Sequence, residues 1–482
     1  MTPIKIQNYH PLQTNRLQIL ILVFFVSILS LNSQTRFDSE KVTNYVEEIK
    51  ESYNLPGIAV SITDTDKTLY LEHFGKINDN EQLLIGSCSK SFTALLTLKL
   101  QDKGLLNIND PVVQYLDWFQ YADKNQSDKV IIKDLLHHTS GIPSILGRIT
   151  IKEDSLGSTK REVKRMLSEL SIDTSQNIYQ YSNINYRLLG YIVEQVTGSL
   201  YGEVLQKEIL QPLGLTHTTG FVLKPEDKNF PGSYNYFLYY PVVPYVSSYY
   251  KDQIPEGHIA SNAEDMAIYL REHLKGYLKD SGQIINQKLS NTLFTPRSQN
   301  SFHYGQGWFI RNKENKKIVF HTGLTEGFNT CMIIDPQEEK AIFVAINSGV
   351  DTAYEIAAGI SNILVGKEPN FYSKTFFYLI RSIPLLVLAL IIILGLQFLK
   401  WKDLNFSLGL NKKLLPNLML ILGILFGSLW VIIFPVMYQT TLKVIINHDP
   451  VSGISLIMIA VLIILISLIN YFKKQSHNPH HA

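Results

Sequence analysis

Only two cysteines, Cys88 and Cys331, occur in 482 residues, and no CxxC pair is present, which excludes a disulfide-built scaffold and the common zinc spacings. A free cysteine is usually a small buried residue, so both are read as packing, with a Cys88–Cys331 bond as the lesser alternative. Charge is also scarce. Charged residues make up 18% of the chain and the formal net charge is +2, so there is no basic excess of the kind that holds nucleic acid. No internal repeat or low-complexity tract interrupts the sequence. His477, His480 and His481 could bind a metal but are better read as a solvated tail, so neither metal nor cofactor is expected.

What is abundant is apolar sequence at both ends. Lys5 and Arg16 precede the apolar run Leu17–Leu31, which meets Asn32, Ser33 and Gln34, the pattern of a secretory signal over residues 1–33, with an uncleaved anchor as the alternative. Three further runs, Phe376–Leu399, Leu414–Tyr438 and Val451–Phe472, are each near the roughly 20 residues a bilayer requires. They predict three transmembrane helices within 376–472, followed by a cytoplasmic tail at 473–482. Lys400, Lys402, Lys412 and Lys413 separate the first two runs and Lys473 and Lys474 follow the third, whereas the 439–450 loop holds only Lys443. The positive-inside rule then places residues 36–370 outside the cytoplasm, against the weaker opposing signal of Lys374 and Arg381. The expected location is the cell membrane, multi-pass, with the large domain extracytoplasmic and the lipid bilayer as a partner of the C-terminal helices. Three plain apolar spans carry almost no charge to mark a transport pathway.

Within 36–370 the pattern mixes helices and strands. Ile58–Ile62 and Thr68–Phe74 read as a hairpin, residues from Ser87 to about Gly220 read as mostly helical, and strands return at Gly307–Ile310, Lys317–Phe320, Thr330–Ile334 and Lys340–Ile346. A sheet built from both ends of the domain with helices inserted between them predicts an α+β fold.

Chemistry is concentrated in "IGSCSKSFTALLTL", residues 85–98, an apolar helix whose first turn carries Ser87, Cys88, Ser89 and Lys90. A helix start exposes unpaired backbone N–H groups, so a hydroxyl held there can act as a nucleophile whose oxyanion is stabilised. Ser87 and Lys90 are three apart, so the amine can reach the hydroxyl. Taken alone the spacing is weak, since Ser248 and Lys251 repeat it. Two more elements follow: Tyr181, Ser182 and Asn183 in "QYSNINYRLLGYIVEQVTG", and His321, Thr322 and Gly323 in front of "LTEGF". Tyr181 could instead be a core tyrosine and Asn183 a helix cap. His138 is read as fixing its loop and His137 as a surface residue.

These three elements in this order resemble the serine beta-lactamase and penicillin-binding protein superfamily, in particular its class C beta-lactamase and D-alanyl-D-alanine carboxypeptidase branch. The linking segments "GLLNINDPVVQYL", "LLHHTSGIPS", "PLGLTHT" and "YGQGWFI" are similar too, and the resemblance spans about residues 40–365. It implies a beta-lactamase/transpeptidase-like antiparallel sheet flanked by helices, with an inserted all-helical subdomain. It also implies an acyl-enzyme on Ser87, with Lys90 and Tyr181 handling the proton and the identity of the base left open. Asn183, His321, Thr322, Gly323 and Leu324 would bind substrate. Asn183 would hold its amide, the backbone N–H groups of Ser87 and Leu324 would receive the oxyanion, and Gly323 would keep the strand edge clear for the substrate backbone.

Two departures bear on substrate. Many relatives carry lysine where this chain has His321. A histidine partly charged near neutral pH would grip a carboxylate more weakly and favour such substrates at mildly acid pH. Leu324 replaces a frequent hydroxyl residue. Efficient beta-lactam hydrolysis is therefore a poorer expectation than a D-alanyl peptidase or esterase acting on a small-molecule or peptide substrate, of cell-wall origin in the first instance. The aromatic stretch at 233–250 reads equally as ordinary strands or as an aromatic wall. An acylation-dependent sensor or a non-catalytic binding module of the same fold is the competing class. Retention of Ser87, Lys90 and Tyr181 argues against the second, and the short cytoplasmic segments argue against the first.

Overall fold

The computed structural model describes residues 38–148, 158–172, 178–223, 232–245, 251–297, 303–313, 316–371, 373–399, 415–437 and 441–476. The signal segment, the 400–413 loop, the histidine tail and Ser248 lie outside them.

Helix α1 (Ser39–Tyr53) is capped by Asp38, whose side chain accepts from the Lys41 N–H, and turns its apolar face, Val42, Val46 and Ile49, inward. The hairpin β1 (Gly57–Thr63) and β2 (Thr68–Gly75) follows, and five strands return late in the chain: β3 (His303–Tyr304), β4 (Phe309–Lys313), β5 (Lys316–Leu324), β6 (Asn329–Asp335) and β7 (Lys340–Ile346). The sheet order is β2-β1-β7-β6-β5-β4-β3, so the two ends of the domain meet where β1 pairs antiparallel with β7. Period-two alternation gives this sheet two buried faces. Ile58, Val60, Ile62, Ile342 and Val344 face α1 and helix Ala353–Leu364, while Ala59, Phe343 and Ala345 face the helices inserted between the strands. That inserted part includes α2 (Ser89–Asp102) and α3 (Asn183–Thr197), and α4 (Ala263–Lys279) follows it, starting on an Asn262 cap. The α+β architecture and antiparallel sheet therefore agree with expectation. The aromatic stretch folds as a hairpin, Ser233–Phe237 with Tyr240–Tyr245, rather than as part of the main sheet.

The expected trio of spans is not matched. Among the described residues two helices are long and apolar enough to cross a bilayer, Phe377–Gln397 and Pro450–Phe472. The middle run is helical over Leu415–Met437 with Pro435 inside it, but its apolar stretch, Leu420–Ile433, is short of the roughly 20 residues a span needs.

Candidate active site

Ser87 sits in a one-turn 3-10 helix, Gly86–Cys88, that runs directly into α2. The turn is held against β5 backbone to backbone. Gly86 adopts φ +54, and a Cβ there would lie 2.6 Å from the Leu324 nitrogen; a Cβ on Gly323 would lie 2.1 Å from the Ile85 carbonyl oxygen. The side-chain face of Gly323 is thus taken up by the Ser87 turn, a close approach that only glycine allows. Thr330 Oγ1 donates to the same Ile85 carbonyl at 2.7 Å, and Cys88, a free buried thiol, lies 3.4 Å from the His321 carbonyl oxygen. Burial pushes the Cys88 thiol up to about 12, so it is a packing group, as expected, and Cys331 is likewise free and buried.

Lys90 is completely buried. Its Nζ lies 3.0 Å from Ser87 Oγ, 2.9 Å from Asn183 Oδ1 and 2.5 Å from the backbone carbonyl of Glu256. Desolvation lowers its pKa to about 7, against the opposing pull of the Glu256 carboxylate. A neutral amine has two hydrogens and one lone pair. The Asn183 and Glu256 oxygens can only accept, so they take the two hydrogens, and the lone pair is left facing the Ser87 hydroxyl.

Tyr181 precedes α3, with its hydroxyl beside the Ser87 side chain and its ring centroid 5.0 Å from Lys90 Nζ. Burial pushes the phenol well above its ordinary value, so it keeps its proton at neutral pH. Tyr181 is set by His138, a left-handed residue (φ +57) whose Nδ1 accepts from the Ser182 N–H at 3.2 Å and lies 3.1 Å from Asn185 Nδ2, with the two rings 4.3 Å apart. His138 thus fixes its loop as read from sequence. His137 does not lie on the surface: it is buried, with Nδ1 3.3 Å from the Tyr304 carbonyl oxygen and its pKa lowered to about 4 by burial. Asn183 is the first residue of α3 behind Ser182, its Oδ1 on Lys90 and its Nδ2 donating to the Gly147 carbonyl at 3.2 Å. The amide expected to hold substrate is, in this state, holding Lys90.

His321, on β5, is 1% exposed. Its Nδ1 lies 2.7 Å from the Thr322 carbonyl oxygen and so carries the hydrogen; Nε2, 3.1 Å from the Tyr304 hydroxyl, accepts. The tautomer is assigned from these partners. Burial, with Lys90 nearby, lowers the His321 pKa to about 3. That leaves the imidazole neutral from pH 5 to 8, which argues against its titration as a source of preference for carboxylate substrates in mild acid. Leu324 ends β5 with its side chain 47% exposed beside the nucleophile turn.

Sequence reasoning missed four contributors. Tyr304 and the Glu256 carbonyl left no local signal. Gly86 was visible as the glycine directly before the serine, and Arg187 as the one basic residue in the helix sequence "NINYRLLGYIVEQ".

The family described as Beta-lactamase matches residues 42–366. "Protein flp" of Staphylococcus aureus (strain COL) is 28% identical over 326 residues, 65% of this chain and 64% of that protein, so this chain spans less than two thirds of that relative's length. A penicillin-binding protein of Bacillus subtilis (strain 168) is 28% identical over 358 residues, covering 67% of this chain and 75% of the relative. Among solved structures, the octameric penicillin-binding protein homologue from Pyrococcus abyssi superposes with a TM-score of 0.57 at 23% identity, over 72% of this chain and 81% of that one. A class C beta-lactamase mutant gives a TM-score of 0.57 at 20% identity, over 67% and 96%; at these identities the two structures speak to the fold alone. With the family match covering most of the chain and the nucleophile turn, tyrosine loop and β5 triplet in one site, the chain belongs to the Beta-lactamase family, within the serine beta-lactamase and penicillin-binding protein superfamily.

Proposed function

We propose that this chain is a membrane-tethered, exported serine hydrolase that works through an acyl-enzyme on an amide or ester. The observation that carries the reading is the Lys90 amine, lowered to about 7 and 3.0 Å from Ser87 Oγ. Ser87 Oγ attacks the substrate carbonyl while its proton passes to Lys90 Nζ; the oxyanion forms between the Ser87 and Leu324 N–H groups. The C–N or C–O bond then breaks and the leaving group takes the proton back, with the Tyr181 hydroxyl positioned to relay it. Water, deprotonated by the same amine, releases the acid and restores Ser87. Lys90 is preferred over Tyr181 as the base because the phenol is held protonated.

Neutral His321 and apolar Leu324 supply no fixed positive charge for a substrate carboxylate, which weighs against an efficient beta-lactamase and, among the remaining readings, puts an esterase or a peptidase acting on an uncharged D-alanyl amide, of cell-wall-derived or other small substrates, ahead of one that reads a free C-terminal carboxylate. The tether is supported by a salt bridge of 2.7 Å between Arg381 and Asp449, which brings the starts of the two long apolar helices together. Helices that start side by side require the intervening segment to return across the bilayer, and Leu415–Met437 is available to do so despite its short apolar stretch.

The test uses the full chain in detergent. A fluorophosphonate should label Ser87, mapped by mass spectrometry, and Ser87→Ala should abolish labelling; an adduct on another serine refutes the assignment. Offered D-alanyl peptides, short-chain esters and a chromogenic cephalosporin, the enzyme should turn over one of the first two faster than the third.

A further inference from the structure

Arg187 and Glu256 form an ion pair at the back of the site. Arg187 Nε and Nη2 donate to the two Glu256 carboxylate oxygens at 2.9 and 2.6 Å, with the side chains 1% and 5% exposed. Glu256 belongs to the five-residue π-turn Ile254–His258, and its backbone carbonyl is the acceptor 2.5 Å from Lys90 Nζ. Arg187 lies on α3 about one turn beyond Asn183, the other acceptor of the Lys90 amine. The same helix face closes on the turn at Gly190, where a Cβ would lie 2.3 Å from Pro255 Cγ. From the other side α2 ties the turn down: Thr93 Oγ1 donates to the Pro255 carbonyl at 2.7 Å and Ser89 Oγ accepts from the Ile259 N–H at 3.1 Å.

We propose that the Arg187–Glu256 pair is a positioning device for Lys90, clamping the 254–258 turn onto α3 so that the Glu256 carbonyl and Asn183 together aim the amine lone pair at Ser87. The proposal rests on the serine hydrolase reading above. A buried ion pair is poor evidence of stability for its own sake, because an apolar pair of equal volume often does as well or better. Here Arg187 Nη1 is in addition buried with no hydrogen-bond partner among the described residues, an unfavourable arrangement for a purely structural pair.

The pair also sets the charge felt by Lys90. The titratable groups around the amine are Cys88, Tyr181, Tyr186, His138, His321, Glu256 and Arg187. Burial holds the thiol and both phenols up and both imidazoles down, so these five are neutral between pH 6 and 8. Charge on Glu256 and Arg187 remains, balanced to zero. Removing the carboxylate lowers the proton affinity of Lys90; removing the guanidinium raises it.

The experiment follows the rate of Ser87 labelling by a fluorophosphonate against pH, with the full chain in detergent and the fold of each variant checked by its melting curve. The acid limb should move down by about one pH unit in Glu256→Gln and up by about one in Arg187→Met, and return close to wild type in the double variant Arg187→Met, Glu256→Gln. At pH 9, where Lys90 is neutral in all of them, labelling should still be slower by about tenfold because the turn is no longer clamped. Should Arg187→Met not fold, the downward shift in Glu256→Gln and its reversal in the double variant decide the matter. Limbs that stay where they are, or that move in the same direction, overturn the proposal. Wild-type protein that is never labelled at Ser87 overturns the hydrolase reading instead, a distinct result.

Discussion

Replacing Gly323 with alanine tests whether the approach of β5 to the nucleophile turn is what completes the site. The added methyl would lie 2.1 Å from the Ile85 carbonyl oxygen and 2.3 Å from Thr330 Oγ1. The first contact is backbone, so no rotamer change relieves it, and the strand has to withdraw by about 1.3 Å to reach an ordinary contact. Leu324, the next residue, carries the second oxyanion donor in the proposed mechanism, and it moves with the strand. A misplacement of about 1 Å, or the loss of one oxyanion donor, each corresponds to roughly a hundredfold in rate, or about 2.7 kcal/mol in the barrier. The expected result is a fall of about two orders of magnitude in kcat/KM for a short-chain ester. Lys90, held by Asn183 and Glu256 rather than by β5, should keep its acid limb unchanged. A melting curve separates this from unfolding. A folded Gly323→Ala enzyme within about threefold of wild type would refute the reasoning, since the strand would then have room that the structure denies it.

Lys90 must be neutral to accept the serine proton, so kcat/KM should rise about tenfold per pH unit below its value of about 7 and level off above it; a flat profile between pH 5.5 and 7 would exclude it as the base. His321 is neutral above about pH 3, so carboxylate-bearing and neutral substrates should show the same pH profile between pH 5 and 8, as measured by kcat/KM on a matched pair. His321→Lys inserts a second amine beside Lys90 and breaks the bonds to Tyr304 and Thr322, so it should lower activity on both substrates alike; a selective gain on the carboxylate substrate at pH 8 would show that residue 321 reads substrate charge. A reporter fused after residue 370 should be active outside the cytoplasm and one fused within 400–413 inside it; the reverse pattern would put the proposed exported substrates out of reach.

Most of what the sequence determined by itself was of two kinds. Near-continuous apolar runs along Ile58–Ile62 and Lys340–Ile346, bounded by turn residues, identified the strands that pair where the two ends of the domain meet, because a strand buried on both faces needs apolar side chains at successive positions. The three motifs, in order, identified the family, since Ser87 and Lys90 are coupled within one helical turn and need only local geometry to meet. Strand ends were less legible: β5 runs on through His321 to Leu324 because β6 pairs with it there, a long-range fact. Tertiary structure alone decided the protonation states. Histidine at 321 reads as a group titrating near neutrality until its burial is known, and the choice between Lys90 and Tyr181 as base stays open until burial is seen to lower the amine and raise the phenol. It alone revealed that the second acceptor of the Lys90 amine is a backbone carbonyl, which no side-chain identity encodes, and that Arg187 and Glu256, 69 positions apart, form an ion pair behind it.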